Sequence, residues 1–191
     1  MLTANVTRWK GTIEEAFDQL QSAEPRIYDI LRSVYLDADL LIRIILGIIQ
    51  KESSGDPNAI GDGGASYGLM QLNYLARDAY SISRTTGFLY ASAGRLILID
   101  NANQLLSPYV NISIGIRYFV LQLAELQDVD AAILAYNAPL STRRWLAGEI
   151  PSPINLPYLR LILSYLDLPE DYFRELPKKK RIPSFSGSSE E

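Results

Sequence analysis

The sequence predicts a single domain built mainly from α-helices, and three observations lead to that prediction. In several segments apolar residues recur every three or four positions, which is the spacing of one buried helix face. No segment shows the alternation of apolar and polar residues that is typical of a half-buried strand. The chain has 191 residues, of which 48% are hydrophobic and 21% charged, and these values are ordinary for one globular domain.

Three helices are predicted before the first long loop. Residues 11–23 form a short amphipathic helix, and Pro25 suits the first turn of a second helix. Asp37 is placed to cap a third helix, from Ala38 to about Ser53. The buried side of that helix consists of Leu41, Ile44, Ile45, Ile48 and Ile49.

The middle of the chain is predicted as a loop followed by further helical segments. Residues 55–66 are rich in Gly, Pro and Asn and are expected to form the loop. Leu69 to Ala79 is expected to return to helix, and Phe88 to Leu106 to be helical in part.

The last third is predicted as three helices and a tail. Asn111 is expected to cap a helix with an apolar face. Asp130 is expected to cap a helix of small residues that Pro139 stops, and a final helix runs from Asn155 to about Leu168. These elements divide the chain into an N-terminal helical extension (residues 1–23), one domain (residues 24–169) and a tail (residues 170–191). The tail is basic at first and then rich in Ser and Gly.

Composition excludes several kinds of chemistry. The chain has no Cys and no His, so disulfides, thiol catalysis, a Ser-His triad and a His-ligated metal are impossible. Because it also lacks a P-loop and an EF-hand pattern, we expect no metal and no cofactor. A net charge of −4 gives no reason to expect a nucleic-acid partner.

No membrane span or export signal is expected. The most apolar stretch, Ala38 to Gln50, is too short to cross a bilayer and contains Arg43. The first 15 residues lack a basic region followed by an apolar run, so we expect no secretory signal and synthesis in a cytoplasm.

Glu52 is the candidate for acid–base chemistry. It follows Ile48 by four residues and Ile49 by three, so it continues the buried side of the third helix. Burial and the negative end of the helix dipole both disfavour the ionised carboxylate and are expected to raise its pKa, as a general acid requires. The alternative is a glutamate that turns to solvent or pairs with Lys51 or Arg43.

The loop after Glu52 has the composition of a sugar-binding surface. Its glycines allow a ligand to approach the backbone closely. The stretch "YGLMQ", residues 67–71, offers an aromatic ring, apolar side chains and an amide to a sugar with apolar faces and a polar rim. The alternatives are core packing for Leu69 and Met70 and an ordinary surface turn for the glycines.

Four motifs in order resemble one family. "ESSGDPNAIGDGGASYGLMQ", residues 52–71, resembles the first two motifs of lytic transglycosylases of the soluble type and of the related goose-type lysozymes. "NISIGIRY", residues 111–118, resembles the family's Asn-Ile, x-x-Gly, x-x-Tyr helix. "AYNA", residues 135–138, resembles its Ala-Tyr-Asn-Ala-Gly motif, and "YLRLILSYL", from Tyr158, resembles its closing helix.

The resemblance implies a lysozyme-like α fold with a saccharide-binding groove. It implies that Glu52 acts first as acid and then as base on the β-1,4 bond between N-acetylmuramic acid and N-acetylglucosamine in peptidoglycan. Ser53 and Tyr136 are expected to orient the Glu52 carboxyl. The expected substrate-binding residues are Ser53, Asp62, Tyr67, Gly68, Met70, Gln71, Tyr136 and Asn137. For Tyr158 a place in the core and a place in the site are both open.

The reaction outcome depends on the number of carboxylates. The transglycosylases resembled here use one carboxylate and form a 1,6-anhydro end without consuming water. Goose-type lysozymes are hydrolases with two aspartates that position water; Asp62 matches one, but Asn73 stands at the other position. We therefore favour a transglycosylase, with a muramidase that uses Glu52 and Asp62 as the alternative.

One departure from the family motifs leaves alternative functions open. The chain has Pro139 where the family has Gly, so the groove edge beyond Asn137 is expected to differ. An inactive peptidoglycan-binding or structural module would explain that departure, and an interaction domain unrelated to glycan is a third alternative for the function.

A phage-encoded protein, carried in a virion or released through a holin pore, would reach the wall without an export signal. Virion partners would then bind the N-terminal helix or the C-terminal tail.

Overall fold

The computed structural model describes residues 1–74, 87–169 and 171–173 and confirms a mainly α-helical fold. The helices are α1 Ala4–Thr7, α2 Lys10–Ala23, α3 Arg26–Ser33, α4 Ala38–Ser53, α5 Pro108–Leu126, α6 Val129–Asn137, α7 Pro139–Leu146 and α8 Leu156–Tyr165. A 3-10 helix spans Ala102–Leu106. The strands are β1 Ile60–Gly61, β2 Ser66–Tyr67, β3 Leu72–Asn73, β4 Leu89–Ser92 and β5 Arg95–Leu98.

Helix α5 lies at the centre of the core. It packs against α2, α3, α6 and strand β4, while α4 packs against α1, α2 and α8. Side chains from α1 and α2, among them Val6, Ile13 and Leu20, are fully buried in the same cluster as those of α4 and α5. Residues 1–23, although predicted as an extension, therefore contribute to the common core.

The predicted N-cap of α4 is correct, and the predicted N-cap of α6 is wrong. Asp37 caps α4 as predicted, since its carboxylate accepts a hydrogen bond of 2.7 Å from the backbone N–H of Leu40. The predicted cap at Asp130 is wrong: Asp128 caps α6 and accepts 2.9 Å from the N–H of Ala131. A cap must precede the first helical residue, and α6 already begins at Val129.

The predicted N-cap at Asn111 is also wrong. Helix α5 begins at Pro108, because proline at the first helical position has the required φ and lacks an N–H that would otherwise be unpaired. Asn111 therefore lies inside the helix and is fully buried. Pro139 likewise follows the end of α6 as predicted, but it also begins α7.

Two small antiparallel sheets replace predicted loop and helix. Strands β1, β2 and β3 form one sheet, and β4 and β5 form a hairpin that turns at Ala93 and Gly94, both with positive φ. The helix prediction is thus wrong for residues 69–74, while residues 75–79 lie outside the described part. The segment from Phe88 to Leu106, predicted to be helical in part, contains the 3-10 helix Ala102–Leu106, while strands β4 and β5 form over Leu89–Leu98.

The final helix is shorter than predicted. Asn155 directly precedes α8, as expected, but the helix ends at Tyr165 rather than near Leu168. In the part of the chain that the structure describes, every helix is too short or too polar to cross a bilayer.

Candidate active site

Glu52 lies in the last turn of α4, and its carboxyl group is held from the opposite side by α8. The Tyr158 hydroxyl donates a hydrogen bond of 2.7 Å to Oε1 of Glu52. The two helices approach closely because Gly47 has no side chain: a Cβ there would lie 3.2 Å from Cγ2 of Ile162. Helix packing therefore fixes the distance between the Glu52 carboxyl and its tyrosine partner.

The surroundings of Glu52 favour its protonated form. Burial raises the pKa of Glu52, and the negative charge of Asp62 adds to that rise. The hydrogen bond from Tyr158 and the positive charge of Lys51 lower the pKa, but burial outweighs both. A raised pKa favours the protonated carboxyl group, which is the form that a general acid must have before it gives its proton to a bound substrate.

Tyr136 lies near Glu52 but forms its hydrogen bond elsewhere. Its hydroxyl donates 2.8 Å to the backbone carbonyl of Met70, and its ring meets that of Tyr118 edge-on, with centroids 5.4 Å apart. Burial first, and then the charge of Glu52, raises the pKa of Tyr136 well above that of an ordinary tyrosine. The tyrosine that donates to the Glu52 carboxyl is therefore Tyr158, where the resemblance had implied Tyr136.

The hydroxyl of Ser53 does not orient the Glu52 carboxyl, as had been expected. It donates 3.3 Å to the carbonyl of Ile49 and accepts 3.2 Å from the N–H of Gly55. Ser53 thus closes the end of α4 and does not bond to the neighbouring Glu52 carboxyl.

The loop that follows Glu52 is held together by hydrogen bonds from its own side chains. The Gln71 amide donates 3.1 Å to the carbonyl of Ala59 and 2.9 Å to that of Gly68. The Tyr67 hydroxyl donates 2.7 Å to the carbonyl of Gly64. Because its two amide hydrogens point into the loop, Gln71 shapes the sugar-binding surface, whereas we had expected it to contact the sugar directly.

Helix α5 packs against this loop and holds it through Asn111 and Gly115. Asn111 accepts 2.8 Å from the N–H of Met70 and donates 2.8 Å to each of the carbonyls of Tyr67 and Leu105. Four residues later, Gly115 leaves room for Met70: a Cβ at Gly115 would lie only 2.2 Å from the Met70 sulfur. Met70 is fully buried, its N–H is bonded to Asn111 and its carbonyl to Tyr136, so the prediction that Met70 contacts the substrate is wrong and Met70 builds the loop from within.

Gly68 is required for the same close approach. Its φ is +73°, and a Cβ there would lie 2.4 Å from the Leu105 carbonyl oxygen and 2.4 Å from Nδ2 of Asn111. Any other residue would separate the loop from α5.

Asp62 lies on the exposed side of the sheet. It has a φ of +50° and accepts a hydrogen bond from the Ser66 hydroxyl. Ser66 pairs across the sheet with Asn73, whose buried Oδ1 has no hydrogen-bond partner among the described residues. Asp62 is close enough to influence Glu52 electrostatically, but its carboxylate is already engaged.

An open pocket lies next to Glu52 on the side of α8. Its volume is about 470 Å³. The residues that line it are Lys51, Asn137, Ala138, Ile154, Asn155, Pro157, Tyr158 and Leu161. Asn137, predicted as a binding residue, lies at the rim, where Pro139 starts α7 and directs the chain away.

Most predicted site residues thus surround the end of α4, in different roles. Asp62 and Tyr67 form the loop surface, and Asn137 lines the pocket. Met70, Gln71 and the buried Gly68, which was expected to bind substrate, build the loop from within. The sequence left the role of Tyr158 open. Its place at the start of the fourth motif was the available signal, because a polar hydroxyl on an otherwise apolar helix needs a partner.

A helical domain that presents one partly buried glutamate beside a small antiparallel sheet is a lysozyme-like domain. A family model described as the transglycosylase SLT domain matches residues 37–150. The match covers more than half of the chain, which therefore belongs to that family. No curated protein matches the sequence.

A solved structure supports the same fold. The chain resembles the X-ray structure of an inactive mutant of the lytic transglycosylase Slt from Pseudomonas aeruginosa, with 24% sequence identity and a TM-score of 0.51. The match covers 84% of this chain but only 25% of that enzyme, so this chain corresponds to about a quarter of its length. The likeness establishes a lysozyme-like α fold.

Proposed function

We propose that this protein is a peptidoglycan lytic transglycosylase in which Glu52 is the single acid and base. It would cleave the β-1,4 bond between N-acetylmuramic acid and N-acetylglucosamine and leave a 1,6-anhydromuramic end. The observation that carries the proposal is the state of Glu52: a partly buried carboxyl group with a raised pKa, held by the Tyr158 hydroxyl at 2.7 Å. Membership of the SLT transglycosylase family supports the same reaction.

The proposed reaction returns Glu52 to its starting state. Protonated Glu52 gives its proton to the glycosidic oxygen as the bond to the anomeric carbon breaks. The substrate's own 2-acetamido group stabilises the positive charge that develops on the sugar. Glu52, now a carboxylate, takes the proton of the 6-hydroxyl of the muramic residue while that oxygen attacks the anomeric carbon. No water is consumed.

Tyr158 and the loop would serve different stages of this reaction. The Tyr158 hydroxyl donates to Glu52, and such a bond is stronger to a carboxylate than to a neutral carboxyl group. It would therefore stabilise Glu52 after the first proton transfer. The partly exposed Tyr67, whose backbone carbonyl accepts from Asn111, would contact the glycan. The pocket with Asn137 would receive the sugar or its substituents on the side of α8.

A hydrolase is the second candidate, because the charge of Asp62 acts on Glu52. In that case Asp62 would position a water molecule for attack on the anomeric carbon. The hydrogen bond from Ser66 to Asp62 and the neutral Asn73 across the sheet favour the transglycosylase instead.

Mass spectrometry of soluble products from purified peptidoglycan tests both candidates. The digests would use the wild type, Glu52→Gln, Asp62→Asn and Glu149→Gln, the last removing an exposed carboxylate that pairs with Arg144. We expect 1,6-anhydro ends from the wild type, Asp62→Asn and Glu149→Gln, and none from Glu52→Gln. Reducing ends that depend on Asp62 would instead identify a muramidase.

The same set of variants addresses an inactive binding or structural module. Such a module would sediment with peptidoglycan without cleaving it, and Glu52→Gln would leave its binding and biological role intact. A wild-type protein that neither cleaves nor sediments with peptidoglycan would contradict both readings.

For location we propose a phage-encoded wall-degrading protein, either carried in a virion or released through a holin pore. Absence of the protein from purified particles would exclude the virion form.

A further inference from the structure

The first residues of the chain lie against the turn that directly follows Glu52. We refer to residues Thr3–Trp9 as the N-terminal arm. The side-chain amide of Asn5 donates 2.6 Å to the carbonyl of Ser54. The carbonyl of Gly55 accepts 3.1 Å from the indole N–H of Trp9 and 3.3 Å from the guanidinium of Arg8.

This turn is one that needs support. Ser54 has a φ of +53° and Gly55 a φ of +83°, so two successive residues are left-handed. A left-handed residue other than glycine is strained, and the last carbonyls of a helix have no partner within the helix. The N-terminal arm supplies three donors to this turn, two residues after the catalytic candidate.

The N-terminal arm is itself fixed in the core. Val6 is fully buried, and the Arg8 guanidinium lies 4.7 Å from the centre of the Trp9 ring. The backbone N–H of Thr3 donates 2.9 Å to Oε1 of Gln50 in α4. Contact with the turn is so close that a Cβ on Gly55 would lie 2.6 Å from the carbonyl oxygen of Asn5.

We propose that the N-terminal arm, which lies outside the matched family region, is a positioning element for Glu52. By holding Ser54 and Gly55 it prevents the last turn of α4 from fraying, and it keeps the Glu52 carboxyl at the Tyr158 hydroxyl and away from bulk water. Asn5 and Trp9 are the positioning residues. The inference rests on the proposed role of Glu52 and adds a part of the chain to that site.

Two conservative variants test this role. Trp9→Phe keeps the aromatic ring but removes the indole N–H, and Asn5→Ala removes the amide; both are made alone and together. Trp145→Phe is the matched control, since it removes the same group from the chain's second tryptophan, on α7. For the double variant we expect kcat on peptidoglycan to fall about tenfold with little change in KM, because small misplacement of a reacting group is costly.

The pH profile separates positioning from a general loss of stability. If the last turn frays, Glu52 gains water and its pKa falls, so the alkaline limb of the kcat profile moves to lower pH. The other titratable and charged groups that act on Glu52, namely Lys51, Asp62, Tyr136 and Tyr158, are unchanged in these variants. A variant that was only less stable would keep the position of this limb at a temperature where it is folded.

Amide hydrogen exchange tests the N-terminal arm without relying on activity. We expect residues 52–55 to exchange faster in the double variant than in Trp145→Phe, while the centre of α4 stays protected. Unchanged exchange, or an unchanged kcat and pH profile in an active protein, would overturn the inference and leave the proposed function intact. An inactive wild type would instead refute the proposed function, and exchange would still report whether the N-terminal arm holds the turn.

Discussion

Asn111→Ala is the substitution whose effect the structure predicts most directly. Asn111 is fully buried in α5 and joins three backbone groups: it accepts from the N–H of Met70 and donates to the carbonyls of Tyr67 and Leu105, each at 2.8 Å. Alanine removes all three hydrogen bonds and leaves the three backbone groups buried next to a small cavity.

The magnitude follows from those three bonds. A net contribution of about 1 kcal/mol for each gives about 3 kcal/mol, and buried groups left without partners increase the loss. For a protein of this size, each 1 kcal/mol lowers the melting temperature by about 2–4 °C, so Asn111→Ala should lower it by at least about 6 °C.

Urea unfolding followed by circular dichroism measures this loss. Asn103→Ala, an exposed asparagine on the 3-10 helix, is the matched control and should change stability by less than about 0.5 kcal/mol. Asn111→Asp adds a further test, because it keeps an acceptor for the N–H of Met70 but places a carboxylate against two carbonyl oxygens. Equal losses in Asn111→Ala and Asn103→Ala would refute the view that Asn111 holds the loop.

Three other substitutions have defined outcomes. Tyr158→Phe removes a donor that lowers the pKa of Glu52, so the pKa should rise and the alkaline limb of the activity profile should move to higher pH; a shift to lower pH would contradict the hydrogen-bond assignment. Gly115→Ala places a Cβ 2.2 Å from the Met70 sulfur and should destabilise the protein by about 1–3 kcal/mol in urea unfolding, whereas an unchanged midpoint would show that the core can adjust. Asp37→Ala removes the cap of α4 and should lower the free energy of unfolding by about 1 kcal/mol, measured in the same way, and a gain in stability would argue against the cap.

The helices of the fold could be predicted because their signals are local. In α4, apolar residues repeat at helical spacing from Leu41 to Ile49 and Asp37 marks the start, so both bounds were predicted correctly. The errors at α5 and α6 arose where two residues could cap the same helix. Helix α5 begins at Pro108, and α6 begins at Val129 after its cap Asp128. A cap is decided by which backbone N–H groups remain unpaired.

The strands could not be predicted for a different reason. Strands β1, β2 and β3 have two residues each, so none is long enough to show alternation. Their pairing depends on Gly68, whose left-handed backbone lets the loop approach α5, and on the Gln71 amide that ties the loop together. The apolar residues of β4 and β5 would suit a helix as well as a hairpin. The packing of the hairpin on α2 and α5 decides in favour of strands.

The roles of the two tyrosines near Glu52 also depend on tertiary packing, so they could not be predicted from the sequence. Tyr136 and Tyr158 are both buried and both close enough to Glu52 for its charge to raise the pKa of each. Which hydroxyl donates to the carboxyl depends on how α8 packs on α4, and that geometry is set by contacts such as Gly47 against Ile162. Because Tyr136 is bound to the Met70 carbonyl, it connects the loop to the core and leaves the carboxyl to Tyr158. Loop position and carboxyl orientation are thus controlled by separate tyrosines, so Tyr136→Phe should weaken glycan binding and Tyr158→Phe should alter the pH dependence of turnover.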